Sequence, residues 1–115
     1  MATLYQIHST MDTLRRSTHE MALTWRAGDS ILLLGSTAAF IDWLNAYIND
    51  VDMENGTVIK DIAGIYVLAE DVAKLSHETT AQLKINNKVT AVLTDSEWVT
   101  LTQDTRFDKV VTIAL

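Results

Sequence analysis

The stretch Gly28-Asp29-Ser30-Ile31-Leu32-Leu33-Leu34-Gly35-Ser36 decides the fold. Residues 31–34 are apolar in succession between two glycines, which is strand length without the alternation of a half-buried strand. A strand apolar on both faces belongs inside a parallel sheet covered by helices on each side. Four more stretches read the same way: residues 4–7, 65–68, 89–93 and 110–114.

Helical spacing fills the intervals between them. Met11, Leu14, Thr18, Met21, Ala22 and Trp25 recur at steps that place them on one inward face, with Arg15, Arg16 and Glu20 elsewhere. Ser9 followed by Asp12 supplies a start signal, and Gly28 a stop through positive φ. A second helix is expected over residues 37–48, and a short one from Glu70 or Asp71. A last helix follows Thr94, whose spacing to Glu97 forms a capping box just ahead of Trp98. Strands alternating with helices give an α/β class: a three-layer α/β/α domain with a mostly parallel five-stranded sheet. At 115 residues, with no repeat or linker, residues 1–115 read as one domain. The irregular stretches are residues 50–64, with the turn pair Asn55-Gly56, and residues 76–88.

Composition removes several function classes. Lys and Arg number 9 against 15 Asp and Glu, and the resulting charge of −6 argues against autonomous tRNA or DNA binding. With no cysteine, the chain offers no thiol nucleophile, thiolate metal site or persulfide carrier. The apolar run 31–34 is far too short to span a membrane, and residues 1–9 carry no targeting pattern, so the expected location is cytoplasmic.

Candidate residues fall into two groups. On the second helix, Phe40, Ile41, Trp43, Leu44, Tyr47 and Ile48 spread over roughly 160° of the circumference, more than one sheet face needs. Phe40, Trp43 and Tyr47 therefore mark either an oligomer interface or a broad core face, and the apolar ending at Leu115 carries the same two readings. The second group lies beyond the strand ends, where open parallel sheets bind ligands: His8 and Ser9 after the first strand, Gly35 and Ser36 after the second. They make a possible pocket, although a lone Gly-Ser more often simply makes the turn, and His8 equally suits a structural histidine. His8, His19 and His77 lack the close spacing of metal ligands, and no Walker A, Gly-x-Gly-x-x-Gly or Gly-x-Ser-x-Gly element occurs. Glu70-Asp71 reads as helix-start charge meeting the dipole, since adjacent helical residues do not converge on one point. No catalytic residue, metal site or cofactor is expected.

The ordered features also resemble a known family. Leu4-Tyr5-Gln6-Ile7-His8-Ser9, the entry Gly28-Asp29-Ser30-Ile31-Leu32-Leu33-Leu34, the segment Tyr66-Val67-Leu68-Ala69-Glu70-Asp71-Val72-Ala73 and the stretch 95–101 resemble TusB/DsrH, the small subunit of DsrE/DsrF/DsrH-type sulfur-relay complexes. The resemblance implies a compact α/β/α subunit that joins TusC-like and TusD-like subunits in a heterohexamer. It further implies a role in sulfur transfer toward tRNA wobble-uridine 2-thiolation, or in sulfur oxidation, with the active cysteine on the TusD-like partner. A chain without cysteine is then a noncatalytic, structural or regulatory subunit. Here Gly35-Ser36-Thr37-Ala38 stands where the family more commonly has an Asp-Gly pair. The alternatives are a stand-alone small-molecule binding α/β module using the strand-end pocket, or a homo-oligomeric variant outside the thiolation pathway.

Overall fold

The computed structural model describes residues 2–48, 61–74 and 89–114 of the chain. Five strands, β1 (Ala2–His8), β2 (Ser30–Leu33), β3 (Gly64–Leu68), β4 (Ala91–Leu93) and β5 (Phe107–Ala114), form one sheet in the order β4-β3-β2-β1-β5. Every pairing is parallel. The described helices are α1 (Met11–Thr24), α2 (Ile41–Ile48), α3 (Ala69–Ala73) and α4 (Asp95–Thr102), with a 3₁₀ segment at Gly35–Phe40. The expected stretch 76–88 lies outside the described residues, as does 50–64 except for residues 61–63, which lead into β3, and Gly64, which opens it.

Strand order explains the layers. The chain steps in one direction from β1 to β4 and then crosses back to place β5 on the far side of β1. Right-handed crossovers send helices made in opposite directions to opposite faces. Accordingly Leu14, Met21, Ile41 and Leu44 from α1 and α2 pack with Tyr5, Ile7, Ile31, Leu33 and Val67. On the other face, Leu101 and Trp98 of α4 pack with Leu4, Leu32, Tyr66, Leu68 and Leu93. Successive residues of a strand thus feed the two cores in turn, as a pleat of period two requires. The α/β class with an all-parallel five-stranded sheet agrees with the three-layer expectation.

Local details differ where tertiary contacts outweigh propensity. The α1 face is as read: Leu14, Thr18, Met21 and Ala22 are buried, while Arg16 and Glu20 are exposed. Its start is not. Thr10 occupies the N-cap without a side-chain cap bond, while Ser9 is drawn into the interior. Gly28 does take positive φ, at 93°, but in a turn four residues beyond the end of α1, where its N–H donates to the Asp61 carbonyl at 2.7 Å. The second helix is regular only from Ile41, because the preceding turn winds as 3₁₀. At α4 the capping box is complete: the Glu97 N–H donates to Thr94 Oγ1 at 3.2 Å and the Thr94 N–H to Glu97 Oε1 at 3.0 Å.

The expectation for the last strand is overturned as well. The apolar run 110–114 reads as a strand buried on both faces, yet β5 is an edge strand with Val110 and Val111 exposed. Its position follows from the return crossover, which residue type does not encode. A register shift between Ala2 and Thr3 inserts one extra residue, Asp108, on the β5 side.

Candidate functional site

Three strand ends converge beyond the carboxyl edge of the sheet. His8 closes β1 and pairs with Ala114 of β5, at the place where the sheet order reverses. Such reversal points are where open α/β sheets form a crevice. The His8 ring is exposed and leans over Gly35, the residue two beyond β2. A Cβ at Gly35 would lie 2.8 Å from His8 Nε2 and 3.0 Å from Cδ2, and the backbone there has φ +60°. The left-handed conformation favours glycine here, and a side chain at this position would also push the exposed His8 ring aside.

The remaining polar groups of this edge are turned on one another. The Gly35 N–H donates to Asp71 Oδ2 at 2.8 Å, and the Asp71 side chain is buried. The Ser9 N–H donates to Thr37 Oγ1 at 2.8 Å, and that hydroxyl donates back to the Ser9 carbonyl at 2.9 Å. Ser9 Oγ bonds Ser17 Oγ of α1. Together these bonds tie the ends of β1, β2 and β3 to the 3₁₀ segment and to α1. An anion bound at a strand-to-helix turn needs free amides. At Gly35 the chain's own carboxylate already holds that place.

His8, Ser9 and Gly35 are thus brought together, with only His8 facing outward; the Ser36 side chain lies outside the described residues. Of the other group, Phe40 and Trp43 are half-buried and pack against the core on the α1 and α2 side. The Tyr47 side chain and Leu115 lie outside the described residues. His19 is half-buried on α1, and His77 is outside the described residues. Among the described residues no group of three or more His, Cys, Asp or Glu is placed to hold a metal ion.

The sequence reading takes Asp71, with Glu70, as helix-start charge and gives Asp29 no role, yet both aspartates matter. Glu70 and Asp71 diverge, as neighbours on a helix must: exposed Glu70 pairs with Lys74 at 3.8 Å, while Asp71 turns inward to Gly35. At the opposite edge of the sheet, buried Asp29 accepts the Thr3 N–H at 2.8 Å and the Arg26 N–H at 2.9 Å. Both carboxylates serve backbone amides, a role that leaves no mark in residue spacing. A third polar contact, partly buried, joins α4 to the sheet. Trp98 Nε1 donates to Gln6 Oε1 at 2.7 Å, and Gln6 Nε2 donates to Thr112 Oγ1 at 2.9 Å.

Among the described residues no helix is long and apolar enough to cross a membrane. Comparison with protein-family models and with curated proteins finds no match to this chain.

Proposed function

We propose that the chain is a noncatalytic, TusB-like subunit of a sulfur-relay complex, joined to TusC-like and TusD-like subunits and supporting tRNA wobble-uridine thiolation or a related sulfur transfer. The observation that carries this reading is the pairing of a cysteine-free chain with strand-end turns whose Gly35 and Ser9 amides are bonded to the chain's own side chains. Without a thiol the chain cannot hold covalent sulfur. With the Gly35 amide bonded to Asp71 and the Ser9 amide to Thr37, the usual anchor for a phosphorylated ligand is taken. The contribution left to such a chain is shape and contact surface, and the sulfur moves on a partner's cysteine.

Co-expression with cysteine-bearing subunits, followed by native mass measurement and assay of wobble-uridine thiolation with and without this chain, tests the proposal. A stable heteromer and lowered thiolation on removal are expected. Turnover of a thiosulfate or persulfide donor by the purified chain alone would overturn it. Exposed His8 above Gly35 favours a second reading, the small-molecule binding module. Saturable ligand binding by the monomer, abolished by His8→Gln, distinguishes that reading from the first.

A further inference from the structure

We propose that the outer edge of β5 is a self-association surface, to which a second copy of this chain adds its own β5 antiparallel, joining the two sheets across a two-fold axis. β5 pairs with β1 alone, so among the described residues its outer row of backbone N–H and C=O groups is open. Val110 and Val111 are 40% and 37% exposed. Val110 pairs with Leu4, whose side chain faces α4, and Val111 with Tyr5, whose side chain faces α1, so the two valines sit on opposite faces of the sheet. A helix or a globular surface laid on one face covers one of them. An added strand flanks both, which makes the occupant extended chain.

The edge is protected along only part of its length. The extra residue Asp108 and exposed Lys109 are the bulge and charge that discourage edge pairing. Beyond them Val110, Val111, Thr112 and Ile113 carry no such device. These residues also favour a second copy over an unrelated strand. The chain as a whole carries −6, yet β5 holds one acid and one base and is locally neutral, so two acidic copies meet there with little repulsion. A two-fold normal to the sheet and centred on Val111 sets Val111 against Val111 of the copy. The same axis sets Val110 against Thr112 and Lys109 against Ile113. β-branched residues then face one another and no like charges are opposed.

This inference stands apart from the sulfur-relay reading and is tested on the purified full chain without partners. A lone strand pair is smaller than the standard interface of roughly 1,600 Å², so weak association, with a Kd of about 10–300 µM, is expected. Sedimentation equilibrium from about 1 µM to about 500 µM should show the mass rising from 12.8 kDa toward twice that value. Val111→Lys opposes two lysines across the axis and should weaken association at least about tenfold, whereas Val99→Lys, at a 53% exposed position on α4, should not.

Because the chain lacks cysteine, Val111→Cys gives a second measurement that does not depend on how well the lysine variant folds. Oxidation should yield a covalent dimer far faster than with Val99→Cys. Monomer throughout the concentration range, or equal cross-linking of the two cysteine variants, would overturn the proposal. So would a Val111→Lys effect seen only when cysteine-bearing subunits are present, which assigns the edge to a partner's strand instead.

Discussion

Replacing Asp71 probes the bond that closes the strand-end crevice. Asp71→Ala removes the acceptor of the Gly35 N–H, which lies in a partly buried setting beneath His8. A hydrogen bond to a charged group contributes about 1.5–3 kcal/mol, and leaving a buried donor unpaired costs about 1–3 kcal/mol. Partial access of water places the expected loss near the middle of that span, about 2 kcal/mol. Asp71→Asn keeps an oxygen in place and gives up only the charge, so about 1 kcal/mol is expected. For a domain of this length these losses correspond to drops in Tm of roughly 8 °C and 4 °C. Urea unfolding followed by tryptophan fluorescence measures both, with an unchanged slope confirming that the same surface is exposed in each variant. Stability of Asp71→Ala within about 0.5 kcal/mol of the parent chain, or equal damage from the two variants, would refute the reasoning.

Three further outcomes are expected. Gly35→Ala should cost about 1–2 kcal/mol from the left-handed backbone alone, and part of any excess should vanish in a His8→Ala background, where the imidazole no longer meets the new Cβ; a double-mutant cycle by urea unfolding checks this. Trp98→Phe should cost about 1–3 kcal/mol, because buried Gln6 Oε1 loses the indole donor, and Gln6→Leu should recover much of that loss in the double variant. The Asp104 carboxylate accepts the Arg106 N–H at 2.9 Å, which holds its pKa below the ordinary carboxylate value. Its stabilisation should thus be fully present above about pH 4 and lost as pH falls through the lowered pKa, an effect seen by NMR titration of Asp104 and absent in Asp104→Asn.

The parts of the fold legible in the sequence are those fixed by near neighbours or by burial on both faces. Residues 31–34 and 65–68 read as interior strands because their apolar side chains follow one another, and β2 and β3 are central in the sheet. The Thr94–Glu97 capping box spans three residues and needs nothing distant. β5 has the same apolar character and yet lies at an edge, since its neighbours are set by a crossover that passes three strands. Ser9 suits a helix start by its type, but reciprocal bonds to Thr37, 28 residues away, draw it inward. Asp71 and Asp29 take backbone amides 36 and 26 residues distant, and an amide acceptor has no signature among side chains. Of the candidate crevice, therefore, the strand-end positions were readable and the carboxylate that fills it was not.

The pairing of β1 with β5 has a consequence for how the chain is made. Gln6 and Thr112 are 106 positions apart, and Gln6 and Trp98 are 92 apart. During synthesis the first strand leaves the ribosome early and gains one neighbour, β2, within about thirty residues, while its other side waits for almost the whole polypeptide. Closure of so long a loop is slow relative to local helix formation. A nascent chain stalled before β5 would therefore present β1, paired only with β2, as an open apolar edge, the form most in need of a holding chaperone.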